Sequence, residues 1–304
     1  MGHHHHHHAD PNDGDAKVFW AIMVNLGLTV AQIIGGVFAG SLALIADALH
    51  NFSDGISLII AFVARKIARR PADKSMTFGY GRAEVVAALI NYTTLIVIGL
   101  YLAYEAVMRF FDPQPVDGWL IVIIAGIALV VDLVTAMLTF AMSKTSVNIR
   151  AAFLHNVADA LGSVAVIFAG TLILLYDWRL IDPAVTLLIA GYILWQSFAE
   201  IGGVIRILML GAPEDVDLDA VIETMRQTEG VTDVHHVHFW HMQEHQSALS
   251  AHLVLDLNEM DAASWVCDGL KKQLKRQFDI AHVTLEIETH TEPSADAQLI
   301  GHRE

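Results

Sequence analysis

The sequence predicts a polytopic α-helical membrane protein with six transmembrane helices and a C-terminal cytoplasmic α+β domain of the ferredoxin-like type. The first observation is the composition: 54% of the 304 residues are hydrophobic and only 17% are charged, whereas soluble domains contain about 25% charged residues. The mean hydropathy of +0.48 agrees with this. The second observation is a change near Gly211, where the long apolar runs end and a polar, mixed segment begins.

Four segments follow from these changes in composition. Residues 1–16 are interpreted as an expression tag and an N-terminal segment, because residues 3–8 are all histidine, as in a purification tag. Residues 17–211 form the predicted membrane domain, and residues 212–290 form the predicted cytoplasmic domain. Residues 291–304 are a C-terminal tail.

The six predicted spans follow from apolar runs of sufficient length, since a bilayer core requires about 20 mostly apolar residues per helix. Glycines and prolines at Gly40, Pro113, Pro115, Gly118 and Pro183 mark the joints between them. The predicted spans are residues 17–39, 41–64, 83–104, 119–142, 147–176 and 182–210.

The distribution of Lys and Arg indicates the orientation, because cytoplasmic loops carry an excess of these residues. They cluster in the second and fourth connections, whereas the first, third and fifth connections carry few. The even-numbered connections, both termini and the soluble domain are therefore predicted to lie in the cytoplasm. The basic residues concerned are Arg65, Lys66, Arg69, Arg70, Lys74, Arg82, Lys144 and Arg150.

The segment after Gly211 shows helical and strand periodicities in the order α-β-β-α-β. Residues 217–229 and 261–277 have the apolar spacing of helices, and residues 231–242, 248–256 and 281–287 alternate as strands do. This order predicts one layer of sheet covered by helices.

Two motifs in the membrane segment share the pattern H-N-x-x-D. His50 precedes Asp54 in the second span, and His155 precedes Asp159 in the fifth. Residues i and i+4 lie on one helix face, so each motif directs an imidazole and a carboxylate to the same side. Ionisable groups inside a bilayer are costly and commonly functional, and two nitrogens with two oxygens fit tetrahedral zinc. The alternative is that each pair is a private ion pair that holds helices together.

Several further polar residues fall within the predicted spans. Asp47 lies seven residues before Asp54 and is predicted near the same face, at the mouth of the site. It either belongs to a proton or ion pathway or makes a cap or an interhelical hydrogen bond. Asp132, Asn25 and Gln32 are interpreted as packing groups or as groups around the site, and lining the pathway is a second interpretation for Asp132.

Nine of the eleven histidines outside the tag follow Gly211. Strand alternation predicts that His236 and His238 share one face and that His235 lies on the other. The favoured ligands for a zinc site in this domain are His235, His252, His282 and Glu288, whereas His241 and His245 are expected in a hairpin loop. The alternative is an exposed, His-rich acidic surface that binds metal weakly.

Several functions are excluded by what the sequence contains. The net charge of −15 argues against nucleic-acid binding, and one cysteine, Cys267, permits neither an internal disulfide nor a thiolate-cluster site. No G-x-x-x-x-G-K-[ST] phosphate loop is present, so ATP-driven transport is not expected. Without an H-E-x-x-H motif, an intramembrane zinc protease is not expected either, and the chain is predicted not to be an enzyme.

These residues resemble the cation diffusion facilitator family, in its zinc-transporting branch with two H-x-x-x-D motifs. The likeness extends from about residue 17 to residue 287. The segments that carry it are residues 46–54, 78–84, 155–159, 235–240, 249–252 and 282–288.

The resemblance implies a homodimeric, proton-coupled antiporter that exports Zn²⁺ from the cytoplasm through His50, Asp54, His155 and Asp159. It also implies a metallochaperone-like cytoplasmic domain that binds zinc and contributes to dimerisation, with Cd²⁺ or Co²⁺ as alternative substrates. Some members carry a further metal site between the second and third spans. Asp73 remains in this loop, but Met76 and Tyr80 occupy the matching histidine positions, so that site is predicted to be absent.

A mechanism follows from the chemistry of the ligands. Metal ligands must be deprotonated, and an unperturbed histidine titrates near pH ~6.5, so zinc and protons compete for the same atoms. Alternating access around one fixed site then exchanges them. The alternatives are a membrane-anchored zinc sensor and a passive divalent-metal channel. The sequence shows no sorting signal, which fits the inner membrane of a bacterium.

Overall fold

The computed structural model describes residues 26–143, 147–243, 246–256, 260–289 and 299–300. Five of its helices are long and apolar enough to cross a membrane, and Leu26–Ala39 is a shorter apolar helix. The predicted tag, the start of the first predicted span, Lys144, His245 and most of the tail lie outside the described residues. The membrane-domain helices are α1 (Leu26–Ala39), α2 (Leu42–Ala68), α3 (Ala83–Phe111), α4 (Gly118–Ser143), α5 (Val147–Tyr176) and α6 (Ile181–Leu208).

The break between α1 and α2 occurs at Gly40. This residue has a φ of +68°, which glycine adopts readily because it has no Cβ. A Cβ here would lie 2.6 Å from the carbonyl oxygen of Pro115, so the close approach of this loop also requires glycine.

Asp182, at the start of α6, caps the N-terminus of α2. Its carboxylate accepts hydrogen bonds from the backbone N–H of Leu42 (2.9 Å) and Ala43 (3.3 Å), and from the hydroxyl of Ser41. The first N–H groups of a helix have no intrahelical partner, and a carboxylate there also interacts favourably with the helix dipole. The guanidinium of Arg109 donates to the carbonyl of Gly40 and lies 4.0 Å from Asp182, so three helices meet at this end.

Small residues allow α4 and α5 to pack closely. A Cβ at Gly118 would lie 2.7 Å from the carbonyl oxygen of Gly170, and a Cβ at Gly170 would lie 2.8 Å from Ile121. Close backbone approach at small residues is the usual means of helix association in membranes. The buried cluster around this contact includes Ala43, Leu44, Ile121, Ala125, Val166 and Ala169.

The C-terminal domain follows the predicted order α-β-β-α-β. Its elements are α7 (Leu218–Arg226), β1 (Val231–Gln243), β2 (Gln246–Leu255), α8 (Met260–Phe278) and β3 (His282–Thr289). The sheet has the order β1-β2-β3, with β1 antiparallel and β3 parallel to the central β2. The parallel pair requires a crossover connection, which α8 supplies. The core beneath the sheet contains Val221, Met225, Leu249, Leu253, Leu270 and Leu274.

The chain divides into two compact units. One consists of Met1–Ile60 with Ile90–Glu200, and the other of Ala61–Leu89 with Ile201–Glu304. The second unit therefore contains the loop between α2 and α3 as well as the C-terminal domain. The guanidinium of Arg82 in that loop donates to the carbonyl oxygens of Met242 (2.9 Å) and His241 (3.3 Å).

Candidate metal centres

The first candidate centre lies within the membrane helices. His50 and Asp54 project from one face of α2 one turn apart, and Asp159 comes from α5. The Nε2 of His50 lies 3.8 Å from Oδ2 of Asp54 and 3.7 Å from Oδ1 of Asp159. One ligand atom from each of the three lies within 4.8 Å of the others.

These distances suit a shared metal ion better than direct hydrogen bonds. A hydrogen bond between nitrogen and oxygen spans about 2.7–3.2 Å. Two ligands that each lie about 2.0–2.1 Å from a tetrahedral zinc are about 3.3 Å apart. The His50 separations are therefore too long for hydrogen bonds and within about 0.5 Å of this zinc spacing.

The fourth predicted ligand, His155, lies one helical turn before Asp159 on α5. Its side chain lies outside the described part of the structure, so only its position on the helix is established. Tyr192 of α6, which the sequence analysis did not identify, packs edge-on against the His50 ring with centroids 6.1 Å apart. This aromatic contact limits the orientation of the imidazole.

Asp47 lies on α2 outside this group of three. It is buried, and Oδ2 of its carboxylate accepts a hydrogen bond from Nε2 of Gln32 at 2.9 Å. The interhelical hydrogen bond that was one of its two interpretations is thus present. Asp132 of α4 accepts a hydrogen bond from the hydroxyl of Ser163 on α5 at 3.1 Å.

The second candidate centre lies on the sheet of the C-terminal domain, where His235, His252 and Glu288 converge. His252 Nδ1 lies 2.7 Å from Oε1 of Glu288, and His235 Nε2 lies 3.3 Å from Oε2 of the same carboxylate. The second contact has no hydrogen-bond geometry, and both nitrogens of His235 are buried without a hydrogen-bond partner. Buried polar atoms are ordinarily satisfied, so a bound cation is the natural partner for His235.

A β-bulge changes the alternation expected for β1. His235 pairs with His252 and His238 pairs with Ser250, so two residues of β1 oppose Ala251 alone. His236 has a φ of +52° at this point, and such an extra residue bends the strand and re-aims side chains. The prediction that His235 and His236 occupy opposite faces is therefore wrong. Both rings contact His252, with centroids 5.3 Å and 4.6 Å away.

His282 does not join this cluster, although it was predicted as a ligand. It pairs with Ala248 at the start of β3, whereas Glu288 pairs with Val254 six residues later. At about 3.3 Å per residue, the two positions are about 20 Å apart. The ring of His282 packs edge-on against Phe78 instead, at 5.8 Å.

Two other histidine predictions have mixed outcomes. His241 lies within β1 rather than in the hairpin loop, and its backbone N–H donates to the carbonyl of Gly211. His245 lies outside the described residues. Glu286, which the sequence analysis did not single out as a ligand, places Oε2 3.3 Å from His252 Nε2 and is a further acidic neighbour of the cluster.

In the loop between α2 and α3, Asp73 is held by protein donors. Its carboxylate accepts hydrogen bonds from the hydroxyl of Ser75 (2.6 Å), the hydroxyl of Tyr80 (2.7 Å), and the backbone N–H of Met76 (3.0 Å) and Ser75 (2.7 Å). These bonds, that from the Ser75 side chain above all, hold the pKa of Asp73 well below its usual range. The hydroxyl of Tyr80 is thus one of the donors that satisfy the Asp73 carboxylate.

Two family models match the chain. Residues 18–209 match the cation efflux transmembrane domain, and residues 213–290 match the cytoplasmic domain of cation efflux proteins. These matches confirm the predicted fold class, an integral multi-pass helical domain followed by an α+β domain.

Known proteins match over nearly the whole length. A Bacillus subtilis protein named cadmium, cobalt and zinc/H(+)-K(+) antiporter is 36% identical over 98% of this chain and 96% of its own. The Escherichia coli zinc transporter ZitB is 32% identical over 91% of this chain and 89% of its own.

A solved structure matches a smaller part of the chain. It is the metal-bound C-terminal domain of the CzcD transporter from Cupriavidus metallidurans, and the match covers 24% of this chain and 99% of that chain, with 34% identity and a TM-score of 0.23.

Proposed function

The chain belongs to the cation diffusion facilitator family, a family of transporters rather than enzymes, and we propose that it exports Zn²⁺ from the cytoplasm in exchange for protons. The transport site in this proposal consists of His50, Asp54, His155 and Asp159. The observation that carries it is the convergence of His50, Asp54 and Asp159 from two helices, with ligand atoms within 4.8 Å of one another.

The ligand chemistry supports zinc as the main substrate and protons as the counter-ion. Imidazole nitrogen and carboxylate oxygen are zinc ligands, and Cd²⁺ and Co²⁺ are accepted by similar donor sets. The relatives named above include antiporters of cadmium, cobalt and zinc with protons and potassium. Because each ligand must lose its proton to bind metal, protonation from the outer side releases zinc there without ATP.

The assembly is proposed to be a homodimer in a bacterial cell membrane, with both termini in the cytoplasm. The family model that matches residues 213–290 is that of a dimerising cytoplasmic domain. In this proposal, zinc at His235, His252 and Glu288 of that domain senses cytoplasmic metal and favours the transporting dimer. Alternating exposure of the single site to the two sides of the membrane completes the cycle.

Zinc flux into proteoliposomes under an imposed pH gradient tests the proposal. We expect gradient-dependent flux in the unchanged protein, a loss of at least about tenfold in Asp159→Ala, because a ligand is removed, and no loss in Asp112→Ala. Asp112 is an exposed aspartate after α3 and provides the matched control.

Two outcomes would contradict the antiporter. Flux that ignores both a pH gradient and a potassium gradient would indicate a passive channel. Absence of flux from the unchanged protein, while its C-terminal domain still binds zinc, would indicate a membrane-anchored sensor.

A further inference from the structure

A cluster of four buried oxygen-bearing side chains lies beside the zinc ligands, and each comes from a different helix. Asp47 belongs to α2, Asp132 to α4, Ser163 to α5 and Gln32 to α1. Gln32 and Ser163 are fully buried, and the two carboxylates are at most 9% exposed. Four helices therefore each contribute one polar side chain to the same part of the membrane domain, where burying such groups is costly.

The two carboxylates both lie against the same turn of α5. The Ser163 hydroxyl donates to Asp132 at 3.1 Å, and a Cβ at the preceding residue, Gly162, would lie 2.9 Å from Oδ1 of Asp47. A serine hydroxyl carries a single proton, so the hydroxyl that donates to Asp132 cannot donate to Asp47 at the same time. The electrostatic neighbours of Asp47 are the carboxylates of Asp132 and Asp159, on α4 and α5. Like charges in a low-dielectric interior are unfavourable unless a cation or a proton lies between them.

An unsatisfied acceptor in the same cluster points to a bound cation. The amide of Gln32 donates from Nε2 to Asp47 at 2.9 Å, while its Oε1 is buried and has no hydrogen-bond partner. Leaving a buried acceptor unpaired is costly, and a cation or a proton carrier would satisfy it. The absence of a side chain at Gly162 leaves space for the Asp47 carboxylate, because a Cβ at that position would lie only 2.9 Å from Oδ1 of Asp47.

The donor atoms of this cluster differ from those of the zinc centre. Two carboxylates, a hydroxyl and an amide carbonyl offer oxygen alone, which suits hard cations, whereas the zinc centre includes the imidazole of His50. Among hard cations, a proton and a potassium ion are the two counter-ions in the printed name of the Bacillus subtilis antiporter that this chain resembles.

We propose that Asp47, Asp132, Ser163 and Gln32 form a separate site for the monovalent counter-ion, a proton or a potassium ion. This inference rests on the proposed antiport. Asp159 belongs to the zinc centre and is also a charged neighbour of Asp47, so the two sites are electrostatically linked. A cation at the oxygen site disfavours zinc at the neighbouring centre, and zinc disfavours the cation. This mutual exclusion couples the counter-ion to zinc, in addition to the competition of protons for the zinc ligands themselves.

The test separates net antiport from exchange of zinc for zinc, which needs no counter-ion. In proteoliposomes, Asp47→Asn is expected to retain the exchange of labelled for unlabelled zinc and zinc affinity within about threefold. Its net zinc flux, driven by a pH or a potassium gradient, is expected to fall at least tenfold. Ser163→Ala, which removes the hydroxyl that donates to Asp132, is expected to reduce net flux in the same selective way. Asp112→Asn serves as the exposed control.

The driving gradient identifies the counter-ion. Net flux of the unchanged protein that follows the pH gradient at fixed potassium indicates a proton, and flux that follows potassium at fixed pH indicates potassium. If Asp47→Asn and Ser163→Ala keep full net flux, the inference is overturned while the antiport stands. If either variant loses zinc–zinc exchange and net flux equally, or loses zinc affinity, the cluster supports the fold or the zinc centre and the inference is again overturned. If the unchanged protein shows no antiport, the proposed function itself fails.

Discussion

At the scale of single residues, the C-terminal centre is organised by one carboxylate. Glu288 contacts His252 through one oxygen and His235 through the other, so it bridges rings from two different strands. Glu286, two residues earlier on β3, also contacts His252, but its side chain is 69% exposed against 16% for Glu288. Solvent weakens charge interactions at exposed positions, so the two glutamates should contribute unequally to metal binding.

We therefore expect Glu288→Gln to weaken zinc binding by the C-terminal domain about 10- to 100-fold, the range found when a group that supports a metal site is lost. Glu286→Gln should change it less than about threefold. Isothermal titration of full-length protein carrying Asp159→Ala, which disables the membrane centre, measures this affinity. Equal losses in the two variants would show that Glu288 has no special role.

At the scale of elements, the packing of α4 against α5 depends on glycines placed at the contact. Gly118 and Gly170 face each other so closely that a Cβ on Gly118 would meet backbone rather than a movable side chain. Gly126 lies on the same helix, two turns further along, with no atom within 4 Å of where its Cβ would be. Substitutions at the two positions therefore distinguish the effect of close helix packing on stability from the effect of helix propensity.

Gly118→Ala is expected to destabilise the membrane domain by about 1–3 kcal/mol, because overpacking forces the helices apart. Gly126→Ala is expected to be neutral or to stabilise by about 0.5–1 kcal/mol, since alanine is the better helix former. Thermal unfolding of the purified protein in detergent, followed by circular dichroism, compares them. A similar effect of both substitutions would rule out the packing explanation.

At the scale of the whole molecule, the motif at residues 78–84 belongs to the same compact unit as the C-terminal domain. Arg82 donates to two carbonyl oxygens at the end of β1, and Phe78 packs against His282 at the start of β3. A planar guanidinium with several donors suits such a two-point contact. The loop between α2 and α3 is thereby attached to the end of the sheet at which β1 ends and β3 begins.

Replacing Arg82 with Gln should release this contact. Backbone amides near Met242 should then exchange hydrogen with solvent at least about threefold faster, because local opening costs less when bonds are lost. Hydrogen–deuterium exchange with mass spectrometry measures the change, and Arg70→Gln, an exposed site in the same loop, is the control. Unchanged protection in Arg82→Gln would mean that the guanidinium contributes nothing to this attachment.

The sequence alone determined the features that depend on local periodicity. Runs of apolar residues predict the helices of the membrane domain, and alternation predicts the three strands, because each element imposes its own repeat on neighbouring residues. The H-N-x-x-D spacing likewise predicts that His50 and Asp54 share a face. The two motifs supplied His50, Asp54 and Asp159, which the structure brings together, and the family was indicated by the resemblance of the motifs rather than by periodicity.

Only the tertiary structure decided which distant residues meet. The contact of Gln32 with Asp47, and that of Ser163 with Asp132, join different helices, and no sequence period relates them. The bulge at His236 places this residue on the face opposite to the one expected from strand alternation. The parallel pairing of β2 with β3 places His282 beside Ala248 rather than beside His252. Strand register and helix packing are determined by burial across the whole domain. They in turn determine which side chains of different elements come into contact.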